Sequence, residues 1–124
     1  MIVCFFLLIN YNNFIRKNRE VLKVFIRIGI VKFSNSIKAN MFLAVWKTDI
    51  LPVLKKDSKM LEIIFLDIGE GKLLAIAKYP SEEDFNKTNK WIYPLISKNV
   101  KELDGVFESI PGGVLLHWYR EDYT

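Results

Sequence analysis

The only histidine of the chain, His117, stands in the run VLLHWYR between Leu116 and Trp118. An imidazole titrates near neutral pH, so it can act as a general base or as a polar anchor in an apolar cavity. The same residue in an apolar run is equally consistent with a hydrogen-bonded core or edge histidine. Arg27 lies among apolar neighbours in KVFIRIGIVKF. An unpaired buried guanidinium is costly, so Arg27 must be paired, snorkel to water or hold an anion. Pairing with Asp67 or Glu62 of a nearby strand is one expectation. Binding a ligand carboxylate or phenolate through its fork of donors is the other. Trp46, Tyr79, Trp91 and Trp118 could ring an aromatic ligand, or be core like most rings of a small domain. His117 and Arg27 are therefore the candidate catalytic residues, and the four rings the candidate cavity lining.

Little else in the chain could carry chemistry. No serine or cysteine nucleophile has a placed base, and His117 has no sequence neighbour to complete a triad. Asp49, Asp57 and Asp67 lack metal-ligand spacing, and a single His and a single Cys exclude multi-residue zinc motifs and an internal disulfide. Gly69-Glu70-Gly71 and Gly112-Gly113 read as turn glycines, since neither opens a helix with a Lys-Ser/Thr pair. Glu82-Glu83-Asp84 reads as a solvated helix start. No cofactor and no metal are expected.

The composition bounds what can surround these residues. The chain has 124 residues, 51% hydrophobic and 26% charged, with a net charge of +4, which fits one folded domain and excludes a disordered chain. Residues 1–40 hold seven Lys/Arg against one acid, whereas residues 41–124 hold eleven against thirteen. The later basic residues are spaced among acids rather than gathered beside aromatics, which argues against nucleic acid as a partner. Ile2 to Ile9 is apolar and is followed by a basic stretch, the reverse of a secretory leader. Eight apolar residues in a helix cover only about 12 Å, too short to span a bilayer. Residues 1–20 are expected to form an extension that packs on the domain or stays loose, with a peripheral membrane contact as the sharper alternative. Cys4 within it has nothing to activate a thiolate. The domain proper is then 21–124, and the expected location is cytoplasmic.

The elements that position these residues follow from periodicity. Residues 22–33 read as a strand with Val24, Ile26, Ile28 and Ile30 on one face and Phe25, Arg27, Gly29, Val31 and Phe33 on the other. Ser34-Asn35-Ser36 offers caps for a helix over about 36–56, with Ile37, Met41, Ala44, Val45, Ile50, Leu51 and Leu54 as its apolar positions and Pro52 weakening its end. Residues 60–68 and 73–79 form a hairpin around the Gly-x-Gly turn. Ser81 caps a second helix to about Ser97, with Phe85, Thr88, Ile92, Leu95 and Ile96 on one face and a bend or break at Pro94. Pro111-Gly112-Gly113 reads as a turn, and VLLHWYR at 114–120 as the last strand.

This β-α-β-β-α-β order implies a ferredoxin-like, four-stranded antiparallel sheet with both helices on one face: an α+β fold. The other face needs a cover, because both parities of the first and last strands are apolar. Burying four or five such side chains is worth on the order of 10 kcal/mol. A second copy is the simplest cover, so a homodimer with its sheets face to face is expected.

The runs KVFIRIGIVKF, ILPVLKK, IIFLDIGEGKLLAIAKYPSEED and VLLHWYRED together resemble the dimeric α+β barrel superfamily, and within it the antibiotic biosynthesis monooxygenase-like domains, over about residues 22–121. The resemblance implies a sheet-lined cavity for a small apolar or aromatic molecule, and cofactor-independent oxygenation as one use of it. A non-catalytic ligand-binding or interaction role is the alternative. Haem binding and degradation comes third: the family's haem-degrading members carry a proximal histidine on the second helix, and this one has none. The family's oxygenases rely on an Asn and a Trp near the phenol. Asn86 and Asn89 beside Trp91 imitate that pair without matching a motif position.

Overall fold

A computed structural model describes residues 24–120. The N-terminal extension, with Cys4 and its suggested membrane contact, lies outside the described residues. The elements run β1 (Phe25–Lys32), α1 (Ser36–Val45), a π-helical turn (Trp46–Ile50), α2 (Leu51–Asp57), β2 (Glu62–Gly69), β3 (Lys72–Tyr79), α3 (Glu82–Glu102) and β4 (Val106–Gly113). The sheet is antiparallel in the order β2-β3-β1-β4, and the helices cover one of its faces. This is the expected α+β, ferredoxin-like arrangement.

Local chemistry sets the element ends. Asn35 Oδ1 accepts from the Lys38 amide at 2.9 Å and caps α1. Ser81 Oγ accepts from the Asp84 amide at 3.1 Å and donates to Asp84 Oδ2 at 2.9 Å, closing a reciprocal cap on α3 worth about 1 kcal/mol. Between β2 and β3, Gly69, Glu70 and Gly71 all have positive φ. Gly71 is fixed twice over: its carbonyl accepts from the Phe33 amide at 3.0 Å, and a Cβ there would lie 2.6 Å from the Asn35 carbonyl oxygen.

Three expectations are corrected. The last strand is Val106–Gly113, not 114–120. Pro111 and the two glycines lie inside it because β4 is an edge strand, where alternate amides face outward and a proline loses no ladder bond. Pro94 does not break α3, which runs unbroken over 21 residues. Pro52 sits in the first turn of α2, just after the π turn, where the amide it lacks has no essential partner.

That π turn also corrects the buried face of the first helical segment. Ala39, Phe42, Trp46, Ile50 and Leu54 point into the core, while Ile37 and Met41 are exposed. The widened turn, closed by the Leu51 amide on the Trp46 carbonyl, lets residues four apart stay on one line from Phe42 to Leu54. On α3, Phe85, Thr88, Ile92 and Ile96 are buried as expected, joined by Val100, but Leu95 is exposed.

The core lies between helices and sheet. Val31, Phe33 and Leu73 meet Phe42, Trp46, Ile50, Ile92, Ile96 and Val100 in one cluster, and Ala77, Tyr79 and Phe85 form a second. Strand alternation puts Arg27 and Gly29 on this covered face as well.

No helix or strand among the described residues covers the opposite face. The register lays it out in rows across β2-β3-β1-β4. Glu62, Lys78, Ile26 and Gly112 form the first, and Ile64, Ile76, Ile28 and Ile110 an unbroken isoleucine row. Leu66, Leu74, Ile30 and Glu108 form the third. Ile64, Leu66 and Ile110 are exposed, and the inner isoleucines of β1 and β3 are half-buried. The apolar second face is therefore real, but it is made by β1, β2, β3 and Ile110 of β4 rather than by a strand at 114–120.

Candidate functional site: a pocket at the end of the open sheet face

β4 ends at Gly113, and the Val114 amide donates to the Val24 carbonyl at 3.2 Å, one bond beyond the ladder. From there the chain leaves the sheet, and Val114, Leu116 and His117 come to stand over the first two rows of the open face. A pocket of about 290 Å³ lies between. Its floor is Ile26, Ile64 and Ile76, and its charged edge is Glu62 and Lys78, which face each other across β2 and β3. An apolar floor with an imidazole and one pair of opposite charges at the rim suits a small apolar molecule bearing one polar group.

The sequence candidates do not assemble into a single site. His117 is exposed, lies outside any strand and stacks loosely on Tyr119, ring centroids 5.5 Å apart. Arg27 is 2% exposed on the other side of the sheet. Tyr79 is buried beside Arg27, and its ring packs edge-on against Phe85 at 5.4 Å. Burial pushes the Arg27 guanidinium below its usual value and the Tyr79 phenol above its own, each partly offset by the other's proximity. Trp46 is core, 5.0 Å from the Phe65 ring, with its indole N–H buried and without an acceptor. Trp91 is half-buried against the main core. Trp118 is 76% exposed, with the Arg120 guanidinium over its ring at 5.9 Å. Asn89 Oδ1 is buried without a donor, and Asn86 is exposed.

The expected pairing of Arg27 with Asp67 or Glu62 is not made. Glu62 shares the open face with Lys78, and the exposed Asp67 accepts instead from the Gly69 amide at 2.9 Å. No salt bridge among the described residues involves Arg27. Among those residues, no group of three His, Cys, Asp or Glu could hold a metal ion, and no helix is long and apolar enough to cross a membrane.

Solved structures place this arrangement. A dimeric ferredoxin-like protein from an uncultured marine organism superposes with a TM-score of 0.64 at 13% identity, over 80% of this chain and 94% of that one. A monooxygenase from the ActVA-Orf6 gene of Streptomyces coelicolor, solved with nanaomycin D, gives 0.66 at 8% identity, over 80% and 94%. SnoaB, a cofactor-independent oxygenase of Streptomyces nogalater, gives 0.60 at 7% identity, over 77% and 96%. The chain shares the ferredoxin-like α+β fold of these structures. At these identities the likeness is one of fold. Neither protein-family models nor curated proteins give a match to the sequence.

The pocket residues that sequence reasoning missed are Val114, Leu116 and the Glu62–Lys78 pair. The even-numbered isoleucines of β1 were a usable signal for the floor. Nothing local in the sequence says that 114–117 folds back over it.

Proposed function

We propose that this chain is a homodimeric domain that binds a small apolar or aromatic molecule in the pocket under Val114–His117. The observation that carries this is the isoleucine row. Ile64, Ile76, Ile28 and Ile110 span the sheet without a polar break, and among the described residues only the 114–117 segment at one end approaches them. A second copy laid on that face buries the row, and the pocket at its edge becomes an enclosed, sheet-lined cavity. The neighbour from the marine organism is described as dimeric.

A second reading, cofactor-independent oxygenation of the bound molecule, is favoured by His117 at the rim of an apolar pocket. Neutral imidazole there takes the proton of a phenol. The phenolate reacts at carbon with dioxygen, one oxygen atom stays as a quinone carbonyl, and the other leaves as water. Two proteins of the same fold, ActVA-Orf6 and SnoaB, are oxygenases.

Titration of the full-length protein with 1-naphthol, followed by amide NMR, separates these readings. Binding moves the Val114, Leu116 and His117 signals saturably, and oxygenation adds naphthoquinone formation that depends on dioxygen and on His117. Binding without naphthoquinone formation, in the natural protein as in H117A, leaves a binding domain. An open face that does not respond overturns the site.

A further inference from the structure

Arg27 is buried on the covered face, and among the described residues no carboxylate pairs with it. The Tyr79 hydroxyl lies within hydrogen-bonding reach of it, and its guanidinium carbon stands 5.9 Å from the centroid of the Phe107 ring. Its Nε is buried with no hydrogen-bond partner among the described residues. A cation kept from water without a counter-ion is among the most expensive things a fold can hold. The surroundings nevertheless make room for it. A Cβ on Gly29 would come within 3.1 Å of Nη1 and 3.2 Å of the Phe107 ring, so the absent side chain at 29 is what leaves the guanidinium its slot.

Phe107 also lines a groove of about 460 Å³ between α3 and β4. Its lining includes two more cations, Lys98 and Lys101, with Ser97 and Tyr93. The Tyr93 and Phe107 rings stand 5.6 Å apart at 46°. Glu102 approaches Lys98 only at 4.0 Å, and Asp104 is engaged by Lys38 at 3.5 Å. Phe107 thus touches both the buried Arg27 guanidinium and the cationic, ring-lined groove.

We propose that the α3–β4 groove binds a small planar aromatic carboxylate, its ring between Tyr93 and Phe107 and its carboxylate meeting Lys98, Lys101 and, once Phe107 turns aside, the Arg27 fork. Guanidinium and carboxylate match as a planar, two-bonded pair, and the displaced ring still stacks on the ligand. This site lies on the covered side and edge of the sheet, apart from the open-face pocket, and the two stand or fall separately.

The probe is benzoate, with benzamide as the neutral isostere, added to the full-length protein with NMR observation of backbone amides and of the Arg Nε–H signals. Benzoate is expected to shift the Ser97, Lys101 and Gly105 amides and the Arg27 Nε–H saturably, and benzamide to leave them in place. Removing both lysines in K98A/K101A weakens benzoate by about fivefold, as loss of two exposed charge contacts should. R27K, which keeps the charge but loses the fork, weakens it further. If R27K does not fold, the exposed-lysine variant and the Arg27 Nε–H signal still decide. Equal shifts with benzamide, an unmoved Arg27 Nε–H, or a response confined to Val114–His117 each overturn the proposal.

Discussion

The Arg27 guanidinium lies over the bare backbone of Gly29, two residues along the same strand, with Nη1 3.1 Å from where a Cβ would stand. Gly29 is therefore a packing position, not a turn. Gly29→Ala presses on the guanidinium and on Phe107 and is expected to cost about 1–3 kcal/mol, the usual range for overpacking a filled interior. Urea unfolding of the two proteins measures it. An unchanged midpoint would mean that the slot has slack.

Tyr79 gives the same cluster a pH signature. Burial holds its phenol above the ordinary value of 10.0, so the folded state resists ionisation more than the unfolded state does. The stability this contributes is fully present below about pH 10 and is lost as pH climbs from there through the raised folded value. Unfolding free energy is expected to fall more steeply above pH 10 in the natural protein than in Y79F, where the group is gone. Parallel curves would contradict the assignment.

Trp46 separates packing from hydrogen bonding. Its rings pack against Phe42 and Phe65, but its indole N–H has no acceptor among the described residues. Trp46→Phe removes the stranded donor with some loss of volume and is expected to cost less than about 1.5 kcal/mol, whereas Trp46→Ala should cost about 3–5 kcal/mol. Thermal unfolding of both variants checks the contrast.

The architecture was legible because three signals agreed: alternation in β1, the Gly-x-Gly hairpin, and the Ser81 cap. Parity placed Arg27 and Ile26 on opposite faces, as the structure has them. The last strand was misplaced because VLLHWYR has the stronger strand propensity and VFESIPGG contains Pro and two Gly. What overrode propensity is tertiary: β1 offers its free edge to the segment that α3 delivers, and that segment is 106–113. The site was less legible for the same reason. His117 was assigned a strand position it does not have, and of the acidic partners expected for Arg27, Glu62 lies on the other face and Asp67 is exposed and bonded to the Gly69 amide. The buried line from Phe42 to Leu54 depends on a π turn that no local spacing announces.

The apolar second face remains the feature on which the functional account turns. Ile28 sits at the centre of the isoleucine row, with Ile76 and Ile110 as its register partners. Ile28→Lys puts a charge there while leaving the covered core untouched. The variant is expected to fold, with helical circular dichroism like the natural chain.

The most direct measurement is native mass spectrometry of the full-length protein beside I28K. A complex of twice the 14.5 kDa chain mass for the natural protein, and the single-chain mass for I28K, is the predicted result. A natural protein that stays a monomer at micromolar concentration, or an I28K protein that still pairs, would contradict the face-to-face assembly and the enclosed cavity built on it.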